Sequence, residues 1–282
     1  MLGLFQRIFH ASAGYKLFYF GGRKSKNAGD TYNIDLMNYF GIEYTRSKKI
    51  RNADLMCVGS NLDRLFIASK RKLLIAGAGF IMPPEGNDYL KREVEILALR
   101  GELSRKRMEN LTRKSLTDCI LGDPGILISK IYPLVRKNKK YRLGIIPHYN
   151  DKDQLDNEKI RLKSTDYKII DIQQDAKCVA EEISECEYIL SSSLHGLIFA
   201  DSYNIPNKRL IISGELKGGN YKFADYYSAF GLELPESVDV RIDSIEESIF
   251  ERIKKDYIPK NISEKQLELS RVFQSIPDKT VL

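Results

Sequence analysis

Residues 188–206 place the tightest constraint on this 282-residue chain. Tyr188, Ile189 and Leu190 form a short apolar run, and Ser191, Ser192 and Ser193 interrupt it. Leu194, Leu197, Ile198 and Tyr203 then recur near helical spacing until Pro206 ends the pattern. That order reads as a buried strand, a polar turn and a helix start. Ser193 takes the N-cap position, with His195 and Gly196 in the first turn. Free N–H groups and the positive end of the macrodipole there suit a phosphate or carboxylate. A capped core helix with a hydrogen-bonded histidine fits the same letters. A site is favoured because the small Gly196 and the titratable His195 meet at a strand's carboxyl end, where open α/β sheets hold ligands.

The same alternation runs through the chain. Segments 16–20, 53–58, 72–76, 94–99 and 119–121 read as strands of a first half; 141–146, 167–172, 188–190 and 209–212 read as strands of a second. Helical patterns begin at Ile34, span 61–69 and 176–186, run from after Ser104 through Lys114, and close the chain at 244–256 and 263–273. The expected fold is therefore α/β, with two doubly wound Rossmann-like domains facing a cleft, the GT-B-like layout of two-domain glycosyltransferases. The charged break Arg136-Lys137-Asn138-Lys139-Lys140 sets the boundary between an N-terminal domain, 1–136, and a C-terminal domain, 141–282, whose terminal helices pack back.

Several strand ends carry chemistry. Gly21-Gly22 leads into the basic, glycine-punctuated stretch from Arg23 to Asp30, a plausible anion cradle and equally a solvated loop, with neither Walker nor dinucleotide spacing. Gly77-Ala78-Gly79 runs into Pro83-Pro84 instead of a long helix, which argues against NAD binding. Arg100, before Gly101, is placed for bidentate contact with a carboxylate or phosphate, and an interdomain ion pair suits it as well. His148 ends another strand. Lys217, Lys222, Asp225, Tyr226 and Tyr227 gather beside glycines. The net charge of +7 points to an anionic partner. Basic residues are scattered without an aromatic-interleaved patch, so nucleic acid is not expected. Cys57, Cys119, Cys178 and Cys186 lack metal-ligand spacing, and Cys57 and Cys119 fall in apolar runs as buried thiols of a reducing compartment. The apolar start, broken by Arg7, His10 and Lys16, is too short to span a membrane and lacks a signal-peptide layout.

Five blocks in order resemble the polysaccharide pyruvyl transferase family: NAGDTYN from Asn27, ALRGELS around Arg100, Gly122-Asp123-Pro124, SSSLHGLIFADSYNIP from Ser191, and KFADYYSAFG from Lys222. They cover most of the chain between Asn27 and Gly231. The resemblance implies transfer of pyruvate from phosphoenolpyruvate to the hydroxyls of a sugar in a surface polysaccharide, such as an exopolysaccharide or capsule, or in its lipid-linked precursor, forming a ketal and releasing phosphate. It implies His195, Asp30 and Arg100 as catalytic residues. Donor binding falls to Asn27, Gly29, Ser191, Ser192, Ser193, Leu194, Gly196 and Lys222, and the acceptor side to His148, Asp225 and Tyr226. No metal and no cofactor are implied. Asp123 reads as an Asx turn or helix cap. The family often has an arginine where Ser193 stands, so the phosphate then falls to Arg100 or Lys222. Expected partners are phosphoenolpyruvate and a sugar or lipid-linked oligosaccharide, and the expected location is the cytoplasm, with peripheral contact to the inner membrane surface. A nucleotide-sugar glycosyltransferase and a non-catalytic subunit of polysaccharide assembly are the rival readings.

Overall fold

Two parallel sheets form because the chain's apolar runs are short and buried on both faces, as β4 illustrates with all four residues covered. The computed structural model describes residues 14–22, 27–86, 88–134 and 139–279. The first sheet comprises β1 (Tyr15–Phe18), β2 (Tyr44–Ser47), β3 (Leu55–Met56), β4 (Leu73–Ala76), β5 (Val94–Leu99) and β6 (Ile120–Leu121), in the order β2-β1-β3-β4-β5-β6. The second comprises β7 (Tyr141–Ile146), β8 (Tyr167–Ile169), β9 (Cys186–Ser191), β10 (Asn207–Ile211) and β11 (Val238–Asp239), in the order β11-β10-β9-β7-β8. Strand order reverses beside β1 in the first sheet and beside β7 in the second. These are the two switch points at which such sheets leave a crevice.

The helices are α1 (Ala28–Phe40), α2 (Glu102–Thr112), α3 (Ile128–Ile131), α4 (Ala176–Ser184), α5 (Leu194–Ser202), α6 (Tyr221–Ser228), α7 (Ser248–Asp256) and α8 (Ile262–Gln274). All nine residues of α5 are buried, because it lies between its own sheet and the first half of the chain. One hydrophobic cluster runs from Leu17 through Phe199 to Phe273, joining the two halves in a common core. Helix α8 returns to the first half: Phe273 stacks on Phe40 at 5.2 Å and Gln266 Nε2 donates to Ile126 O at 2.7 Å.

Several elements depart from expectation. The helix expected over 61–69 is a five-residue 3-10 turn, Leu62–Phe66, whose start is tied to the next loop by Leu62 N donating to Gly79 O at 3.1 Å. Helix α4 stops at Ser184, since Glu185 O is taken by the amides of Lys140 and Tyr141 and Cys186 opens β9. The edge strands β2 and β11 carry too little apolar alternation to have been anticipated. The apolar start 1–13, the basic loop residues 23–26 and most of the expected boundary, residues 135–138, lie outside the described residues. Among the described residues no helix is long and apolar enough to cross a membrane. The four cysteines are free; Cys57 is buried as expected, whereas Cys119 is only partly covered.

Candidate active site

Loops at the carboxyl ends of β1, β3, β7, β9 and β10 converge on one cleft between the halves, with a volume of about 530 Å³. Helix α1 enters it from one side and α5 from the other, so two helix N-termini point their free N–H groups at the same space. Asn27 caps α1, its Oδ1 accepting from Gly29 N at 2.9 Å, and Ala28 N donates across the halves to Ile172 O at 2.8 Å. The imidazole of His195 packs closely against the α1 backbone at Gly29. A Cβ on Gly29 would stand 1.9 Å from its ring, so only glycine permits this approach.

The serine turn divides its labour. Ser191 Oγ accepts from Ser193 N at 3.0 Å, and Ser192 Oγ accepts from His148 N at 2.8 Å; both serines are fully buried and hold the β9 turn and the β7 loop in place. Ser193 occupies the N-cap position with extended backbone, yet its hydroxyl makes no capping bond. Ser193 Oγ, His195 Nε2 and Asn61 Nδ2 are buried polar atoms without a hydrogen-bond partner, and all three residues line the cleft. Buried polar groups are ordinarily paired, so three orphans from both halves mark a place shaped for a polar ligand. Lys222, only 6% exposed, adds a cation that makes no hydrogen bond or ion pair among the described residues.

The electrostatics follow from burial and from an excess of cations. Burial, assisted by Arg100, Lys222 and His148, drives the His195 pKa down to about 3. His148 is lowered likewise to about 3 by burial and Lys222. Both imidazoles are therefore neutral at pH 7. Burial, Arg100 and Arg209 lower Lys222 to about 8, against the pull of Asp30 and Asp151. Asp30, partly covered on α1, is raised to about 7 by burial and Asp123, with Lys222 opposing. A carboxyl and an ammonium that each titrate near neutrality thus share one cleft.

Of the residues singled out from sequence, Asp30, His195, Asn27, Ser193, Leu194, Lys222 and His148 line the cleft. Gly29 and Gly196 sit behind it, Gly196 leaving room for the Ser191 hydroxyl. Ser191 and Ser192, assigned to donor binding, are sealed beneath the turn and do not line the cleft, and three others do not face it either. Arg100 is completely buried: Nε and Nη2 each lie 2.9 Å from Asp225 Oδ2, Nη1 donates to Ser60 Oγ at 2.6 Å, and Nη2 donates to Phe80 O at 2.6 Å. Asp225 also accepts from Ser104 N and Ser104 Oγ, which commits it to holding α6 against α2. Tyr226 is buried, donating to Asp201 Oδ2 at 2.9 Å; Asp201 also takes Lys260 Nζ and Asn207 Nδ2. The acceptor-side placing of Asp225 and Tyr226 is therefore corrected: α6 turns that face toward α2 and α5. Asp123 is a cap, Oδ1 accepting from Gly125 N at 2.9 Å. Asn61, Tyr149 and Asn150 line the cleft and were missed. Each follows a strand within a few residues, the same signal that pointed to Asp30 and His195. Among the described residues, no three His, Cys, Asp or Glu side chains are grouped to hold a metal ion.

The chain belongs to the polysaccharide pyruvyl transferase family, whose model matches residues 14–207. It is 30% identical over 225 residues to an uncharacterized protein of Acanthamoeba polyphaga mimivirus, covering 74% of this chain and 73% of that protein. It is 22% identical over 218 residues to the succinoglycan biosynthesis protein ExoV of Rhizobium meliloti, covering 76% of this chain and 65% of that relative's length. A solved structure of a functionally uncharacterized protein from Klebsiella pneumoniae aligns at a TM-score of 0.39 and 12% identity, over 76% of this chain and 89% of that one.

Proposed function

We propose that this member of the polysaccharide pyruvyl transferase family moves pyruvate from phosphoenolpyruvate onto two hydroxyls of a sugar, in a surface polysaccharide or its precursor, with the donor held in the cleft between two GT-B-like domains. The observation that carries this reading is the convergence of three unpartnered polar atoms, the free Lys222 and two helix N-termini on one space. A donor with phosphate and carboxylate groups supplies the acceptors that these groups lack.

In this reading Lys222 and the N–H groups of α1 and α5 hold the phosphate and stabilise the charge it gains on leaving. The anionic donor reverses the field that keeps His195 neutral, so its arrival draws a proton onto the imidazole, and His195 delivers that proton to the donor's methylene carbon. The central carbon becomes electrophilic and a sugar hydroxyl adds, giving its proton to Asp30. Phosphate then departs with the electron pair of its C–O bond, and the neighbouring hydroxyl closes the ketal, its proton leaving with the phosphate. Arg100 acts at one remove: it fixes Asp225 and Ser60 and adds positive potential at His195.

The test is calorimetric titration of the protein with phosphoenolpyruvate and, separately, with UDP- and GDP-sugars, repeated on His195→Ala. Phosphoenolpyruvate binding that weakens at least tenfold in His195→Ala is expected. Nucleotide-sugar binding with phosphoenolpyruvate silent would make the chain a glycosyltransferase instead.

A further inference from the structure

Asn61 lines the cleft and is only 2% exposed, yet its amide Nδ2 has no hydrogen-bond partner. The other two orphaned atoms of the cleft, Ser193 Oγ and His195 Nε2, stand at the start of α5, whereas Asn61 comes from the first half, after β3. Its neighbour there is Asp30. A Cβ built on Gly59 would lie 2.5 Å from Asn61 Nδ2 and 3.0 Å from Asp30 Oδ1, so the two polar atoms flank one vacant, methyl-sized space. Gly59 has a φ of +118°, which side chains rarely adopt, and any larger residue would fill that space.

The pair is held in a fixed relation. Asn33 on α1 is fully buried; its Nδ2 donates to Asp30 O at 2.9 Å and to Val58 O at 3.2 Å, and its Oδ1 accepts from Val58 N at 3.0 Å. That staple fastens the start of α1 to the turn after β3. On the other side of the turn, Gly79 N donates to Gly59 O and Leu62 N donates to Gly79 O, each at 3.1 Å. Arg64 N donates to Asn61 O at 3.0 Å. None of these bonds uses the amide nitrogen of Asn61, which is left for a ligand.

A carboxylate accepts from one hydroxyl while an amide N–H donates to the oxygen of another, so an acid and an amide across one space make a clamp for two hydroxyls of one sugar. We propose that Asn61 orients the acceptor: its Nδ2 donates to the second hydroxyl while Asp30 takes the first, so that only a hydroxyl pair of matching spacing and configuration closes the ketal. This rests on the pyruvyl transfer reading, in which Asp30 receives the proton of the first hydroxyl. Asn61 itself gains and loses no proton. Its bond to the second oxygen leaves a lone pair free to form the new C–O bond at the carbon that phosphate has left, and the proton of that hydroxyl leaves with the phosphate.

Asn61→Ala removes an amide nitrogen that holds nothing else in place, so the fold is kept; Asn61→Asp keeps the size, loses the donor and serves as the second variant. Calorimetry on the intact chain without phosphoenolpyruvate, with the methyl pyranosides of glucose, galactose and mannose as probes, should find a sugar that wild type binds and that both variants bind about tenfold more weakly. Among the monodeoxy analogues of that sugar, the one lacking the hydroxyl held by Asn61 should bind wild type and Asn61→Ala alike. Phosphoenolpyruvate affinity should agree within about twofold between those two proteins. In a phosphate-release assay with the same sugar, KM should rise about tenfold in Asn61→Ala while the acid limb of the pH profile stays in place. Equal sugar affinity in wild type and variants, or no sugar bound by wild type, overturns the clamp. An acid limb moved to higher pH in Asn61→Ala, with sugar affinity unchanged, overturns it too and makes the amide a partner of the Asp30 carboxylate alone. Weakened phosphoenolpyruvate binding with unchanged sugar affinity gives the amide to the donor instead. A wild type that ignores phosphoenolpyruvate but binds a sugar through Asn61 keeps the clamp and removes the pyruvyl transfer reading.

Discussion

Replacing Arg100 by alanine separates an anchoring role from a catalytic one. The guanidinium spans the halves of the molecule: it comes from the end of β5, and its ionic partner Asp225 sits on α6. Arg100→Ala leaves Asp225 fully buried with only the two Ser104 bonds, and it frees Phe80 O and Ser60 Oγ. Breaking a buried pair from one side costs about 3–5 kcal/mol. An unfolding entropy of about 2.1 cal/mol/K per residue gives roughly 0.6 kcal/mol/K for 282 residues, so Tm should fall by about 5–8 °C. Arg100→Met/Asp225→Leu removes both charges and fills the space, and should recover more than half of that loss; the unpaired Ser104 groups account for the remainder. Differential scanning calorimetry on the two variants measures this, with phosphoenolpyruvate titration alongside. Donor affinity in Arg100→Ala should change by less than about fivefold, because a fully enclosed guanidinium touches no ligand. An unchanged Tm with donor binding abolished would refute the reasoning and return Arg100 to the donor site.

Asp30 at about 7 and Lys222 at about 8 set the expected pH profile: kcat/KM rises as Asp30 becomes a carboxylate and falls as Lys222 loses its proton. Asp30→Asn should abolish the acidic limb and lower turnover by roughly 10²–10⁴-fold. Because the native Asp30 pKa is raised, the unfolded chain gives up that proton first. Asp30 therefore costs the fold stability as pH rises from about 4 to about 7, and urea titrations should show a flatter dependence in Asp30→Asn. Gly29→Ala gains roughly 1 kcal/mol in helix propensity but drives a methyl into the His195 ring; the expected net is a lower Tm and turnover reduced about 100-fold, whereas a raised Tm with full turnover would disprove the packing argument. Lys222→Met should move stability and function in opposite directions. Relieving an unpaired buried cation raises the Tm of the empty protein by an amount worth roughly 1–3 kcal/mol, and the phosphoenolpyruvate Kd weakens about 10–100-fold.

The sequence by itself determined the class of fold and several of the residues that meet at the cleft. Short apolar runs ending in glycine or serine turns impose parallel strands, and the residues after them must lie at strand ends. Asp30, His148, Ser193 and His195 were legible for that reason, and Lys222 was found beside the glycines that follow β10. Which side chains turn inward was decided by tertiary structure alone. Arg100 and His195 carry the same signal, a polar residue beside glycine after a strand. Gly101 admits the backbone of Asp225, so Arg100 is sealed beneath α6, whereas Gly29 admits the His195 ring to the cleft. Partners 125 residues apart in sequence make that difference. The same holds for the charges: Asp54 is drawn to Arg71 and Lys279 and Asp63 to Arg107 by packing that no local pattern shows. Burial, a property of the assembled core, moved Asp30 up and His195 down, and no local pattern encodes how deep a residue will lie.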